Sequence, residues 1–155
     1  MTLIPRRLCT SLIVMCLLTA GTCSDESATN RNIVPVGNLT ICGQNQRNTS
    51  DKTCIVDGDT LWLGGVNVRL KDFDTPESRT NICGGFTEID LAHAATDRLQ
   101  QLLNGNAWTV ETFGIDGTGK RQLATIRIDG VDVGDIMIAE KLARRWPDGE
   151  EFWCK

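Results

Sequence analysis

Carboxylates at Asp57, Asp59, Asp74 and Glu77 flank a guanidinium at Arg69 within one short stretch of the chain. Two carboxylates and a carbonyl oxygen make a hard-oxygen site, suited to Ca²⁺ or Mg²⁺ and not to Zn²⁺. Arginine supplies a planar fork for phosphate oxygens. A glutamate three residues beyond a metal-binding aspartate can orient or deprotonate a water. Together these parts describe phosphodiester hydrolysis. The magnitudes call for all of them: one electrostatic donor supplies about 3–4 kcal/mol, whereas phosphate-ester hydrolysis needs ~20 kcal/mol of barrier lowering. Taken singly, Asp-Gly and Asp-Thr-Pro are ordinary turns. Both of them with Arg69 between is a much rarer combination.

The elements that must position these groups are read from pattern. Cys54 to Leu63 reads as a strand, on which Asp57 and Asp59 would project from one face. Gly64-Gly65 turns the chain into a second strand, Val66 to Phe73, which alternates apolar with polar residues. Pro76 stops it, with Thr75 held extended before the proline. A regular strand would set Arg69 and Asp74 on opposite faces, so their convergence requires a bend near Asp72-Phe73.

Those residues resemble the thermonuclease (staphylococcal-nuclease-like) family. The matching segments are Val56-Asp57-Gly58-Asp59-Thr60, then Arg69-Leu70-Lys71-Asp72-Phe73-Asp74-Thr75-Pro76-Glu77, then Lys120-Arg121-Gln122-Leu123-Ala124. The resemblance covers about Cys54 to Arg145. It departs from the pattern at Lys120, where the family usually has glycine, and at Lys71-Asp72, which replaces a more apolar or small pair. It implies Asp59 and Asp74 as Ca²⁺ ligands, helped by the Thr75 carbonyl, with Asp57 behind them. It further implies Glu77 acting on the attacking water, and Arg69 and Arg121 holding the scissile phosphate. The fold it implies is α+β: a five-stranded OB-fold barrel with a helix after the third strand and a C-terminal helix. Pattern alone says only α+β.

The rest of the chain fits that order. Leu39 to Cys42 reads as a short first strand and Ser78 to Gly85 as a loop at the mouth of the site. Phe86, Ile89, Ala92, Thr96, Leu99 and Leu103 recur at helical spacing, so a helix spans Phe86 to Leu103, stopped by Asn104-Gly105. His93 borders that stripe; with no Ser or Cys nucleophile placed near it by any motif, it reads as a helix-packing or half-exposed residue. Trp108 to Phe113 and Arg121 to Ile128 are two further strands. The Asp116–Lys120 turn between them is glycine-rich but lacks phosphate-loop spacing. A second helix spans Val133 to Ala143. Lys120, Arg144, Arg145 and Trp146 are candidates for contact with a nucleic-acid strand, as cations for phosphate and an indole for stacking. The competing reading packs Trp146 on the barrel and leaves the arginines at a solvated helix end.

Export is the expected context. Arg6 and Arg7 precede an apolar run, Leu8 to Leu18, and then small residues, the pattern of a signal peptide over residues 1–22. The run is too short to span a membrane. Ordinary cleavage is preferred over lipoprotein processing at Cys23, because Thr22 is a poor residue before an acylated cysteine; the rival product is a lipid anchor at Cys23. Residues 23–36 read as a flexible tail and 37–155 as one domain. Cys42, Cys54, Cys83 and Cys154 allow three pairings; the expected ones are Cys42–Cys54 across the first hairpin and Cys83–Cys154 pinning the C-terminus. A zinc site is the rival, disfavoured by the lack of a C-x-x-C pair and by a single histidine. Removing Met1–Cys23 takes two arginines and no acids, leaving 14 basic against 20 acidic residues, a balance of −6. That argues against a tight non-specific nucleic-acid binder. It leaves a nuclease open, since distant charge is screened within roughly 10 Å.

The leading expectation is therefore a secreted or periplasmic, Ca²⁺-dependent, sugar-non-specific nuclease, monomeric, with single-stranded DNA and RNA as substrates and no membrane span. The alternatives are a non-catalytic nucleic-acid-binding barrel and a Ca²⁺-stabilised extracellular module.

Overall fold

The computed structural model describes residues 32–34, 37–79 and 83–154. The expected signal peptide and Cys23 lie outside them. Strands β1 (Asn32–Val34), β2 (Cys54–Ile55), β3 (Thr60–Leu63), β4 (Val66–Leu70) and β5 (Phe73–Asp74) precede helix α1 (Gly85–Gly105). Strands β6 (Trp108–Ile115), β7 (Gln122–Ile128) and β8 (Val131–Asp132), helix α2 (Val133–Ala139), strand β9 (Arg144–Arg145) and a 3₁₀ turn at Phe152–Cys154 follow.

The main sheet runs β1-β6-β7-β4-β3-β2, with β8 also on β7; β5 and β9 form a separate ladder. The β4–β7 pairing is parallel, Arg69 lying opposite Leu123. The architecture is mixed α+β, with two helices and a sheet of several strands. Among the described residues the hydrogen-bonded path stays open, with β1 and β2 at its ends, and does not close into a barrel.

Local chemistry explains the hairpin that carries the site. Gly64 and Gly65 have φ of +54° and +79°, the left-handed pair that a tight two-residue hairpin turn requires. The turn sets Thr60 opposite Arg69 and Leu61 opposite Val68. Val68 and Leu70 are buried; strand alternation therefore directs Arg69, between them, away from the core. At Asp72 the chain takes φ +70°, a conformation that aspartate tolerates better than most residues. This is the bend that the spacing of Arg69 and Asp74 required.

One apolar cluster holds the layers together. Ala95, Leu99, Leu102 and Leu103 of α1 pack with Ile55, Leu61, Leu70, Ala124 and Ile126 of the sheet and Val133 and Met137 of α2. Each fully buried Leu or Ile contributes about 1.5–3 kcal/mol relative to exposure. Phe86, assigned to the α1 stripe from its spacing, is exposed instead; it sits one residue into the helix, before the buried face begins at Glu88.

Other elements differ from their sequence expectations. The expected strand Cys54–Leu63 is interrupted at residues 56–59, because Asp57 and Gly58 bend the backbone there. Leu39–Cys42 makes only an isolated bridge, Ile41 to Ile55. Asn32–Val34, expected within a flexible tail, pairs antiparallel with β6, covering an edge that would otherwise expose unpaired backbone groups. The second helix ends at Ala139, four residues early. Lys141, at φ +59°, turns the chain, so that Ala143 is buried and Arg144 enters β9.

Disulfides join Cys42 to Cys54 and Cys83 to Cys154, the two expected pairs. They fit an oxidising compartment. Among the described residues no helix is long and apolar enough to cross a membrane.

Candidate active site

Asp57 and Asp59 sit on the bend between β2 and β3, not on a strand face. Asp57 Oδ1 accepts the Asp59 amide at 3.2 Å, an aspartate side chain bonding the backbone two residues on. Gly58 lies between them because nothing larger fits: a Cβ there would meet Thr75 Cγ2 at 2.8 Å and Ala95 Cβ at 2.9 Å. The bend therefore presses on Thr75, whose amide donates to Asp59 Oδ2 at 3.2 Å. Asp59 is 1% exposed and also accepts the Thr60 hydroxyl at 2.9 Å.

Arg69 joins the two halves of the site. Its Nη1 lies 2.6 Å from Asp59 Oδ1 and its Nη2 lies 2.7 Å from Asp74 Oδ1. The other oxygen of Asp74 is held from the opposite side by Arg144, through Nε at 3.1 Å and Nη2 at 3.0 Å. Arg144 also reaches Glu151 at 2.8 Å and the carbonyls of Pro147 and Gly149. Arg144, a candidate for nucleic-acid contact from the sequence, has a side chain that is 8% exposed and is engaged in these internal pairs. The β5–β9 ladder seats it opposite Asp74, where burying the carboxylate demands a counter-charge. Arg145 does point outward, paired with Asp135 at 2.6 Å.

A cleft of about 580 Å³ opens beside these groups. Arg69, Asp74, Glu77, Asp116, Arg121 and Trp146 all line it. Of the expected site residues, Arg69, Asp74, Glu77 and Arg121 thus share one cavity; Asp59 and Thr75 lie buried behind Arg69. Trp146 is 53% exposed, with Arg144 Cζ 5.0 Å from its ring centre, so it is a cleft wall and not a core residue. Lys120 is exposed and outside the cleft lining. His93, expected as a helix-packing or half-exposed residue, is exposed on α1 and is not among the residues that line the cleft.

The electrostatics follow from crowding. Burial pushes the Asp59 carboxyl well above the usual range, with Arg69 opposing and Asp57 reinforcing the rise. Burial also raises Glu77, helped first by the nearby Asp57 charge. Four carboxyl groups, Asp57, Asp59, Asp74 and Glu77, interact here with Arg69, and Arg144 is the other cation on them. The donors are all oxygens, Asp59 and Asp74 are brought together by one guanidinium, and Thr75 abuts Asp59. Oxygen donors of this kind suit a hard cation over a soft metal; in this structure Arg69, Arg144 and the Thr75 amide hold the Asp59 and Asp74 oxygens. Cys83, Glu151 and Cys154 also gather within 4.8 Å of one another, but the two sulfurs are joined in a disulfide and offer no thiolate.

Two residues that the sequence did not single out support the site. Glu88, in the first turn of α1, is 2% exposed. It accepts the Glu77 amide at 3.2 Å and the Gly84 amide at 2.8 Å, fixing both ends of the loop between them. Its signal was an acid in the first turn of the best helix. Asp116 holds Arg121, with Oδ2 2.7 Å from Nε; its signal was the Asp-x-Thr turn ahead of the arginine.

The chain matches no family model and no curated protein.

Proposed function

We propose that the protein is an exported Ca²⁺-dependent nuclease that hydrolyses phosphodiester bonds of single-stranded DNA and RNA. The observation that carries this reading is the cleft on which Arg69, Asp74, Glu77 and Arg121 meet. The strand order β2-β3-β4-β7-β6, with α1 inserted between β5 and β6, is compatible with an OB-fold, the fold implied by the resemblance. Two disulfides are compatible with secretion or a periplasmic location.

Asp59 and Asp74, with the Thr75 carbonyl, would hold Ca²⁺. When bound, the cation would supply positive charge to the scissile phosphate and a seat for water. Glu77 takes a proton from the water that attacks phosphorus; its raised proton affinity suits a general base. Arg121 binds the non-bridging oxygens, where negative charge builds as the water adds. Arg69 keeps the two ligand aspartates together and contributes its charge to the cleft floor. Trp146 offers an indole face for a base beside the phosphate. The bond broken joins phosphorus to the 5′ oxygen, which departs as a 5′-hydroxyl after taking a proton from solvent water, and the other strand carries a 3′-phosphate, as the resemblance implies.

One observation favours the non-catalytic alternative: both terminal nitrogens of Arg69 are already given to carboxylates. Denatured DNA and RNA incubated with the protein and Ca²⁺ separate the readings. The nuclease reading expects fragments ending in 3′-phosphates, and a loss of about 10²–10⁴ in rate for Glu77→Gln. A gel shift with intact polymer would overturn it in favour of a binding module.

A further inference from the structure

The guanidiniums near the cleft are not equivalent. Arg69 gives both terminal nitrogens to Asp59 and Asp74. Arg144 gives Nε, Nη1 and Nη2 to Asp74, Glu151 and two carbonyls. Arg121 lines the cleft, and among the described residues its only side-chain partner is Asp116, through Nε at 2.7 Å. A guanidinium held at Nε keeps its Nη1–Nη2 edge for a two-pronged contact with phosphate oxygens.

Asp116 is itself held rigidly. Its Oδ1 accepts the Thr118 amide at 3.2 Å, the Thr118 hydroxyl at 2.7 Å and the Lys120 and Arg121 amides at 3.3 Å each. The backbone closes the same loop, the Asp116 amide donating to the Arg121 carbonyl at 2.9 Å. One oxygen thus organises the turn and the other is left for Arg121. A carboxylate beside a phosphate-binding cleft would repel its substrate unless its charge were spent, and here Arg121 spends it. The Thr118 hydroxyl first, and Arg121 after it, hold the Asp116 carboxyl below the usual range, which favours the ionised form of the clamp.

We propose that Asp116 is a positioning residue: by fixing Nε of Arg121 from a carboxylate locked in the Asp116–Arg121 turn, it aims the free edge of that guanidinium at the scissile phosphate. The proposal rests on the nuclease reading. Holding the arginine in advance removes the rotamer freedom that an exposed side chain would lose on meeting phosphate, and misplacing a catalytic group by about 1 Å can cost about 10²-fold in rate. It also gives the loop's residue types a purpose: Thr118 supplies two donors to Oδ1, and Gly119, at φ +75°, closes the turn.

The test is a double-mutant cycle on cleavage of single-stranded DNA in Ca²⁺. Asp116→Asn keeps an acceptor for the turn and loses the charge on Nε; its melting temperature confirms that it folds. The expected result is a fall in kcat of about 10- to 100-fold with KM little changed. Arg121→Ala should lose about 10²–10³, and adding Asp116→Asn to it should cost nothing more. A wild-type kcat in Asp116→Asn, or a loss that multiplies in the double variant, would overturn the proposal. If Asp116→Asn fails to fold, Thr118→Val decides, with a several-fold loss expected and no loss overturning it. Inactive wild-type protein would instead sink the nuclease reading. The clamp is then judged by NMR with inorganic phosphate: the Arg121 Nε–H signal should be sharp and phosphate-responsive in wild type and exchange-broadened in Asp116→Asn, and identical spectra would refute it.

Discussion

Arg144 faces Asp74 directly across the β5–β9 ladder and sets Nε and Nη2 on a single carboxylate oxygen, at 3.1 and 3.0 Å. The neighbouring arginine has no such place. Arg145 and its partner Asp135 are both 53% exposed at the side chain. Removing one partner of a buried pair costs about 3–5 kcal/mol, whereas an exposed pair is worth about 0–1 kcal/mol. Chemical denaturation should therefore find Arg144→Ala destabilised by about 3 kcal/mol and Arg145→Ala within about 0.5 kcal/mol of wild type. Equal effects would show that the buried pair does not organise the site.

Asp59 sets a pH dependence. Its carboxyl is raised by burial from 3.8 to about 8, so the folded chain without cation takes up a proton that the unfolded chain releases. The resulting stability is complete below about pH 4 and is lost as pH rises towards 8. In chelator, the wild-type melting temperature should fall over that window relative to Asp59→Asn, which lacks the group. If Asp59 holds Ca²⁺ as proposed, the cation must displace that proton, so its affinity should rise with pH across the same window and binding should release protons in calorimetry. Parallel melting curves for the two proteins would contradict this assignment.

Gly58 offers a steric test of how the bend meets Thr75. A methyl group there would lie 2.8 Å from Thr75 Cγ2 and 2.9 Å from Ala95 Cβ. Overpacking of this kind costs about 1–3 kcal/mol, and relief must move the bend away from Thr75. Gly58→Ala should thus lose stability by that amount and weaken Ca²⁺ binding. An alanine variant with unchanged Ca²⁺ affinity would disconnect the two.

Much of this arrangement was legible in the chain. The hairpin followed from Gly64-Gly65, the long helix from its apolar stripe, and the Asp72 bend from the mismatch between strand alternation and a common site. What pattern could not supply was competition between charges. Arg144 looks like Arg145 in sequence, and only the β9 pairing decides which one is buried against Asp74. Asp57 and Asp59 keep the spacing of a strand face, but the Asp57 side chain bonds the backbone and breaks the strand there. Asp116 read as a turn former, which it is; that its second oxygen holds Arg121 depends on a side-chain direction that spacing does not specify.

The most direct test is to add Ca²⁺ to chelated protein while following cleavage of a single-stranded oligonucleotide. Cleavage should be absent in chelator, appear saturably with Ca²⁺, and stay absent at every Ca²⁺ concentration in Asp59→Ala. Cleavage that persists in chelator, or that survives in Asp59→Ala, would contradict a cation held by Asp59 and Asp74 as the centre of this site.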